Sequence, residues 1–353
     1  LWLGLQATFR MLEYGTNGKS PLGIPPLNGD LFGPEAIPHL EGTRLYNHDL
    51  LRAIRSLAMF RDGGGLRRVN FAALDVEELG SVYESLLDYA PVVREEGGGL
   101  VFDLVPGTER KSTGSYYTRP ELVKELVESA LVPVMEERLQ KAGADRAARE
   151  AAILGMRVCD PACGSGHFLL EAARRMGREL ARVRTGEEEP TPEDFREAVR
   201  DVIEHCIYGV DVNPLAVELC KLALWIEGHT AGRPLSFLDH RIRCGNSLVG
   251  IASLEMLRQG IPDEAYTVLT GDDRKTAGQL KKRNRQEREL IDSGQLHVLH
   301  DVDRLRAETL AEAHTDLDRM PQVTAEQVRA MAERFRTLRA EGTEWERLTT
   351  AAH

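Results

Sequence analysis

The segment Asp160-Pro-Ala-Cys-Gly-Ser-Gly-His-Phe168 brings together an acid, a proline and two glycines one residue apart. A strand that ends in such a turn and leads into a helix makes a binding site for an adenosine-containing cofactor. The glycines let the backbone approach the ligand at the carboxyl end of the strand. Details of the turn choose among cofactors. A dinucleotide fingerprint needs a third small residue three positions after the second glycine, and Leu169 stands there. Asp160, at the strand end, would repel a pyrophosphate and attract a cation. No Gly-Lys-Ser/Thr follows, so the turn is not a P-loop. The residues favour S-adenosylmethionine, a sulfonium, over a dinucleotide. The rival reading is a purely structural strand–turn–helix junction. His167 reads as packing beside the turn, not as a general base.

Around this turn, strands alternate with helices, the pattern of an α/β parallel sheet. Met156–Cys159 reads as a strand, followed by helices at about 166–184 and 193–205. Cys206–Asp211 is a second strand and Pro214–Gly228 a crossover helix, with Trp225 as core. Arg241–Cys244 is a third strand, ending at Gly245-Asn246. Upstream, helices are expected at 1–14, 47–60, 74–87 and 144–154, with a Gly/Pro-rich connector at 15–43 and a short strand at 100–104. A further helix opens at Pro120 and carries Leu122, Val123, Leu126 and Val127 at helical spacing. Beyond residue 260 the chain turns polar and charged. Two amphipathic helices follow, one with Leu310, Ala313 and Leu317, the other with Val328, Met331 and Phe335. Three parts are expected: a mostly helical 1–108, a cofactor-binding 109–260, and a charged helical insertion or extension at 261–353.

The 353 residues carry a formal net charge of −11, which argues against a protein whose whole surface tracks phosphate and leaves room for a local basic groove. Arg274, Lys275, Lys281, Lys282, Arg283, Arg285 and Arg288 form one basic run. It reads as a solvated helix face, with a DNA-backbone contact as the alternative. The five cysteines form no C-x-x-C pair, so no metal is expected. Cys159, Cys206 and Cys220 lie in apolar stretches and are expected to be free, buried thiols of a cytoplasmic protein. No apolar run reaches membrane-span length, and no signal peptide is visible. The chain begins at Leu1 and reads as a fragment or a reading frame cut at its start.

Val158–Leu170 resembles motif I of the amino-methyltransferase class of DNA methyltransferases. Gly114-Ser-Tyr-Tyr-Thr-Arg-Pro120 looks like motif X, which closes over the methionine end of the cofactor; here Arg119 intervenes before the family's proline. Ile207–Pro214 looks like motif II and Cys244–Leu248 like motif III, with Asn246 where the family often has Asp. Leu79-Gly-Ser-Val-Tyr-Glu-Ser-Leu86 and Glu109–Tyr116 are similar to the large methylases of type IIG restriction–modification enzymes, a family that includes the BREX and DISARM phage-defence methylases. The resemblance covers roughly residues 30–300.

The resemblance implies a class I S-adenosylmethionine-dependent methyltransferase core, Rossmann-like and incomplete, with a helical N-terminal region and a helical C-terminal extension. Asp160, Ala162, Gly164 and Gly166 would hold the cofactor at the first turn. Asp211 would take the ribose hydroxyls and Asn246 would meet the adenine ring. Tyr116, Tyr117 and Thr118 would cover the methionine end. Plainer alternatives stand beside these: Asp211 as a helix cap, Asn246 as a turn residue, and the tyrosines as core aromatics. Asp160 and Asp211 are 51 positions apart, against roughly 20 in the compact dinucleotide pattern. The extra helix at 193–205 accounts for the excess and keeps the strand–helix–strand order.

The implied activity is site-specific N6-adenine methylation of double-stranded DNA by the complete enzyme. Partners would be subunits of a restriction or defence system, with no membrane. That chemistry needs an Asn/Asp/Ser-Pro-Pro-aromatic motif, whose side chain accepts from the target amino group while the aromatic stacks on a flipped base. The chain does not contain it. By the family's pattern the motif follows a long insertion, so no catalytic residue is expected within these residues. The alternative is a non-catalytic S-adenosylmethionine-binding fragment or one half of a split enzyme; an RNA or protein substrate is a third reading. Asp103 with Glu109-Arg-Lys111 loosely fits a metal-nuclease pattern of a kind that arises often by chance.

Overall fold

The computed structural model describes residues 1–14, 26–27, 32–33, 42–73, 78, 80, 89–107, 118–249, 262–268, 270–293, 310–343 and 345–346. They fall into two compact units, one of 1–247 with 322–329 and the other of 248–321 with 330–353. No helix among the described residues is long and apolar enough to cross a membrane.

The first unit opens with helices α1 (Trp2–Tyr14) and α2 (Asn47–Ala58). Two antiparallel hairpins follow: β1 (Met59–Asp62) with β2 (Gly65–Arg68), and β3 (Tyr89–Glu96) with β4 (Gly99–Pro106). The expectation of a mostly helical 1–108 missed both hairpins. The glycines at 63–65 reverse the chain into the first hairpin, and the strand expected at 100–104 is the return arm of a longer hairpin. In that hairpin Asp103 pairs with Arg94 across the strands, a structural use of that acid. Glu109–Lys111, the connector at 15–43 (apart from 26–27, 32–33 and 42–43) and most of the helix expected at 74–87 lie outside the described residues.

Helix α3 (Pro120–Leu126) starts with proline at its first position and runs through a π-turn (Val127–Leu131) into α4 (Val132–Ala142). The buried positions are Val123, Val127, Val132, Met135 and Leu139. The single five-residue step falls at the π-turn, whose extra residue keeps one apolar face inward. Leu122 and Leu126, expected on the same face, are exposed. Helix α5 (Arg146–Leu154) is capped by Asp145, which accepts from Ala148 N–H at 2.8 Å.

The core is a three-stranded parallel sheet in the order β5 (Val158–Asp160), β6 (Ile207–Asp211), β7 (Ile242–Cys244). Parallel neighbours need crossover connections, and helices supply them. Between β5 and β6 lie α6 (His167–Thr185) and α7 (Pro192–Cys206); between β6 and β7 lies α8 (Pro214–Glu227). Helix α6 buries Leu169, Leu170, Ala173, Met176 and Leu180 on one face. Each large apolar side chain so buried contributes ~1.5–3 kcal/mol. Helix α7 starts at Thr191, whose hydroxyl accepts from Asp194 N–H, followed by proline at the first position. Arg174 makes a two-pronged pair with Glu227, at 2.9 and 2.8 Å, which ties α6 to α8.

Three of the charges in this core are deeply buried and paired. Arg200 meets Glu204 at 2.8 Å, and Ser236 Oγ donates to the same carboxylate at 2.7 Å. Gln322 closes the group, accepting from Phe237 N–H at 2.6 Å and from Arg200 through its carbonyl. Lys221 lies 2.8 Å from Asp239 and 2.6 Å from Glu218. Burial works against the Lys221 charge, yet the two carboxylates hold its pKa above the ordinary value. Trp225 is core, as expected, with its indole N–H donating to Ser236 O. Cys163, Cys206 and Cys220 are buried and all five thiols are free. Cys159, expected to be buried, is exposed: it is the middle residue of β5, which among the described residues pairs on one side only, and alternation leaves it uncovered.

In the second unit, α9 (Arg274–Asp292) is the helix of the basic run. Lys281, Arg285 and Arg288 converge on Asp263, which lies on a 3₁₀ turn, and hold its carboxyl below the ordinary range. Residues 310–318 are helical, with Leu317 buried; α10 (Ala325–Arg339) begins in the segment 322–329, which belongs to the first unit, and ends in the second.

Candidate functional site

The parallel order places Asp160, Asp211 and Cys244 at the carboxyl ends of three adjacent strands. In open α/β sheets this is the edge where ligands bind. Backbone bonds then stitch the three strand ends together. Asp160 Oδ1 accepts from Ala162 N–H at 3.0 Å, which bends the chain into the turn. Cys163 N–H donates to Val210 O at 2.9 Å and Gly166 N–H to Cys163 O at 2.8 Å. On the far side Gly245 N–H donates to Asp211 O at 2.9 Å, and Ser247 Oγ to Pro161 O at 2.8 Å.

Asp211 is the centre of this arrangement. Its Oδ2 accepts from Gly164 N–H at 2.9 Å, across 47 residues of sequence, and its Oδ1 accepts from Asn213 N–H at 2.8 Å. Each carboxylate oxygen keeps a second lone pair for a ligand. The helix-cap alternative for Asp211 does not hold, because Asn213 caps α8 by accepting from Leu215 N–H at 3.0 Å. Such a cap contributes about 1 kcal/mol.

Two close approaches set the shape of the turn. Gly166 has φ 94°, and a Cβ there would stand 2.8 Å from Cys220 Sγ. Only glycine satisfies both conditions. A Cβ on Gly209, in β6, would lie 2.9 Å from Leu169 Cδ1 and 3.0 Å from Cys163 Sγ. In a dinucleotide turn the third glycine lets the helix pack close to the strand. Here the large residue is on the helix and the glycine on the strand, so the same closeness is reached with Leu169 in place.

The electrostatics are those of an acidic notch. Burial pushes the Asp160 carboxyl above its ordinary value; the Ala162 N–H opposes this, and the charge of Asp211 adds to the rise. Among the described residues neither Asp160 nor Asp211 has an ion-pair partner. Behind the turn, Cys220 hydrogen-bonds Cys163, and with burial this raises its thiol well above the ordinary range. His167 Nδ1 lies 3.3 Å from Ser165 Oγ, beside the turn.

Of the residues singled out in the sequence, Asp160, Ala162, Gly164, Gly166 and Asp211 come together directly. Asn246 is exposed and held between Gly245 and Ser247, both bonded into the same cluster. Thr118 is half-buried just ahead of α3, while Tyr116 and Tyr117 lie outside the described residues. Sequence reasoning missed Gly209, Asn213, Ser247 and Val212. Val212 follows the central acid and is 54% exposed although apolar and β-branched. The Asn-Pro pair at 213–214 was a readable helix-start signal; the other three carry none.

Residues 139–243 match the family model of the MmeI DNA-methyltransferase domain. The chain is 26% identical to RM.MjaORFECS2P of Methanocaldococcus jannaschii over 268 residues, 64% of this chain and 21% of that protein. It is 31% identical to the adenine-specific methyltransferase PglX of Streptomyces coelicolor over 39% of this chain and 12% of that protein. It is 25% identical to the type II restriction enzyme and methyltransferase RM.Eco57I of Escherichia coli over 51% of this chain and 18% of that protein. The matched stretches thus span about a fifth or less of these relatives. No solved structure matches. The resemblance to type IIG-like adenine methylases, read above from the motifs, is borne out.

Proposed function

We propose that this chain is the cofactor-holding part of a DNA adenine methyltransferase of a restriction–modification or phage-defence system, with a class I, Rossmann-like core at 109–260. The observation that carries the proposal is the Gly164 N–H to Asp211 carboxylate bond, which joins the glycine turn to the acid of the next strand end. Two acids with no ion-pair partner among the described residues fit a ligand that brings its own positive charge. They do not fit a pyrophosphate.

Asp211 takes the ribose hydroxyls with the lone pairs its backbone partners leave open. The exposed face of Val212 and the amide of Asn246 receive the adenine, one by apolar cover and the other by hydrogen bonding. Asp160 orients the cationic end by its charge, and Ala162, Gly164 and Gly166 supply a backbone without side-chain obstruction. Tyr116, Tyr117 and Thr118 cover the methionine end. S-adenosylmethionine, when bound, supplies a methyl carbon activated by its sulfonium. The chain's own part is to bind and orient. The group that accepts the target amino protons belongs to the Pro-Pro-aromatic motif, which these residues lack. Strand β5 fits this division: among the described residues it pairs only with β6. In doubly wound sheets the strand order reverses beside the cofactor turn, so the open edge of β5 is where a catalytic half would continue the sheet.

The test incubates the protein with methyl-labelled S-adenosylmethionine and double-stranded DNA. Stoichiometric cofactor retention without transfer is expected from these 353 residues alone. N6-methyladenine is expected once a segment bearing the Pro-Pro-aromatic motif is supplied. Absence of retention, or methylation of cytosine, counts against the reading.

A further inference from the structure

One residue of the segment Leu79–Leu86 lies against the proposed cofactor turn. Gly80 is helical and buried. A Cβ placed on it would stand 2.9 Å from Ser165 Oγ, 3.1 Å from His167 Cε1 and 3.5 Å from Ser165 Cβ. No positive φ explains the glycine, since its backbone angle lies in the range any residue adopts. A helical position that does not need glycine's freedom is ordinarily improved by alanine. What glycine offers at 80 is the missing side chain, and the space it leaves is occupied by the two residues that flank Gly166.

We infer that Gly80 is a positioning residue for the cofactor: its bare Cα lets the backbone at residue 80 seat against Ser165 and His167 and hold the glycine turn in place. The inference rests on the reading of 160–166 as the cofactor turn and goes beyond it, because the proposed cofactor contacts all lie at or beyond Tyr116. The turn is then held from two sides. Cys220 and Leu169 pack behind it, from within the core, and Gly80 closes on Ser165 and His167. Ser165 sits between Gly164, whose N–H is spent on Asp211, and Gly166, whose φ is 94°. A push on Ser165 Oγ is therefore delivered to both glycines. Gly80 acts through those residues and touches no reacting atom.

The experiment measures S-adenosylmethionine affinity by calorimetry and Tm for the 353-residue protein and for Gly80→Ala, Gly80→Leu, Ser165→Ala and Gly80→Ala/Ser165→Ala. Gly80→Ala is expected to weaken binding about threefold to tenfold and Gly80→Leu more than tenfold, as side-chain volume grows. Removing Ser165 Oγ takes away the nearest obstacle, so the double variant should bind more tightly than Gly80→Ala, a non-additivity that a general loss of stability would not give. Equal affinity of Gly80→Leu and the wild type overturns the inference. So does a fall in Tm with unchanged affinity, or a double variant no better than Gly80→Ala. If the wild type binds no S-adenosylmethionine, the cofactor reading itself fails, a different outcome from these.

Discussion

Two sets of acids in the same unit are treated in opposite ways. Glu204, buried on α7, and Asp239, half-buried just ahead of β7, each face a buried cation, Arg200 and Lys221. Asp160 and Asp211, at the strand ends, face each other's charge and are satisfied by the backbone N–H groups of Ala162, Gly164 and Asn213. The first arrangement is closed, with charge balanced by side chains in fixed contact. The second is open: hydrogen bonds fix its geometry, and among the described residues no side-chain cation balances its charge. The proposed function rests on this contrast: the interior ions are paired, whereas the two carboxylates at the strand ends have no ion-pair partner among the described residues.

The largest effect is expected where a closed pair is broken. Glu204→Ala leaves Arg200 buried without its carboxylate and should cost roughly 3–5 kcal/mol in urea unfolding. Replacing both residues together by apolar ones of similar volume should recover most of that loss. Asp239→Asn leaves Lys221 its second partner Glu218, so the expected loss is smaller, ~2 kcal/mol.

The open pair should respond with the other sign. Asp160 has a pKa raised by burial and by Asp211. The folded state therefore holds its proton more tightly than the unfolded chain, and stability falls as pH rises from the ordinary carboxylate value through the raised one. Asp160→Asn removes a charge the fold disfavours but keeps the acceptor for Ala162 N–H. Tm at neutral pH should stay level or rise, while affinity for S-adenosylmethionine drops about tenfold, ~1.4 kcal/mol. A fall in Tm comparable to that of Glu204→Ala would erase the distinction between the two sets. By the same linkage, affinity in the wild type should weaken as pH drops through the raised value and protonates Asp160, and Asp160→Asn should flatten that profile.

The smallest effect concerns thiols around the same strands. Burial pushes Cys206 up to about 12, with its Sγ donating to Ile153 O and Leu154 O. Cys163 and Cys220 are also buried, whereas Cys159 and Cys244 are exposed. A disulfide reagent should label those two in the native protein and all five in denaturant. Rapid native labelling of Cys163 or Cys220 would mean that the back of the turn is open.

The parts legible in the sequence are those governed by neighbours in the chain. Leu169 and Asp160 could be weighed because the turn is local, and the order of β5, α6, α7, β6, α8 and β7 followed from periodicity and from Pro214 at a helix start. What stayed hidden depends on distant contacts. Gly209 makes sense only once Leu169 is seen against it. The hairpins at 59–68 and 89–106 lack a buried face, and most of their residues are exposed, so no alternation marked them. Cys159 was read as buried from its apolar surroundings, but among the described residues its strand lies at the sheet edge. The bond from Gly164 to Asp211 spans 47 residues and no spacing rule announces it.

The central claim is that the uncompensated acids and the glycine turn hold S-adenosylmethionine, and calorimetric titration of the wild type and of Asp211→Ala with that molecule tests it most directly. Saturable binding at a single site in the wild type, weakened at least about tenfold in Asp211→Ala with the fold intact by circular dichroism, is the predicted result. A wild type that gives no saturable heat, or that binds NAD as tightly as S-adenosylmethionine, would contradict it.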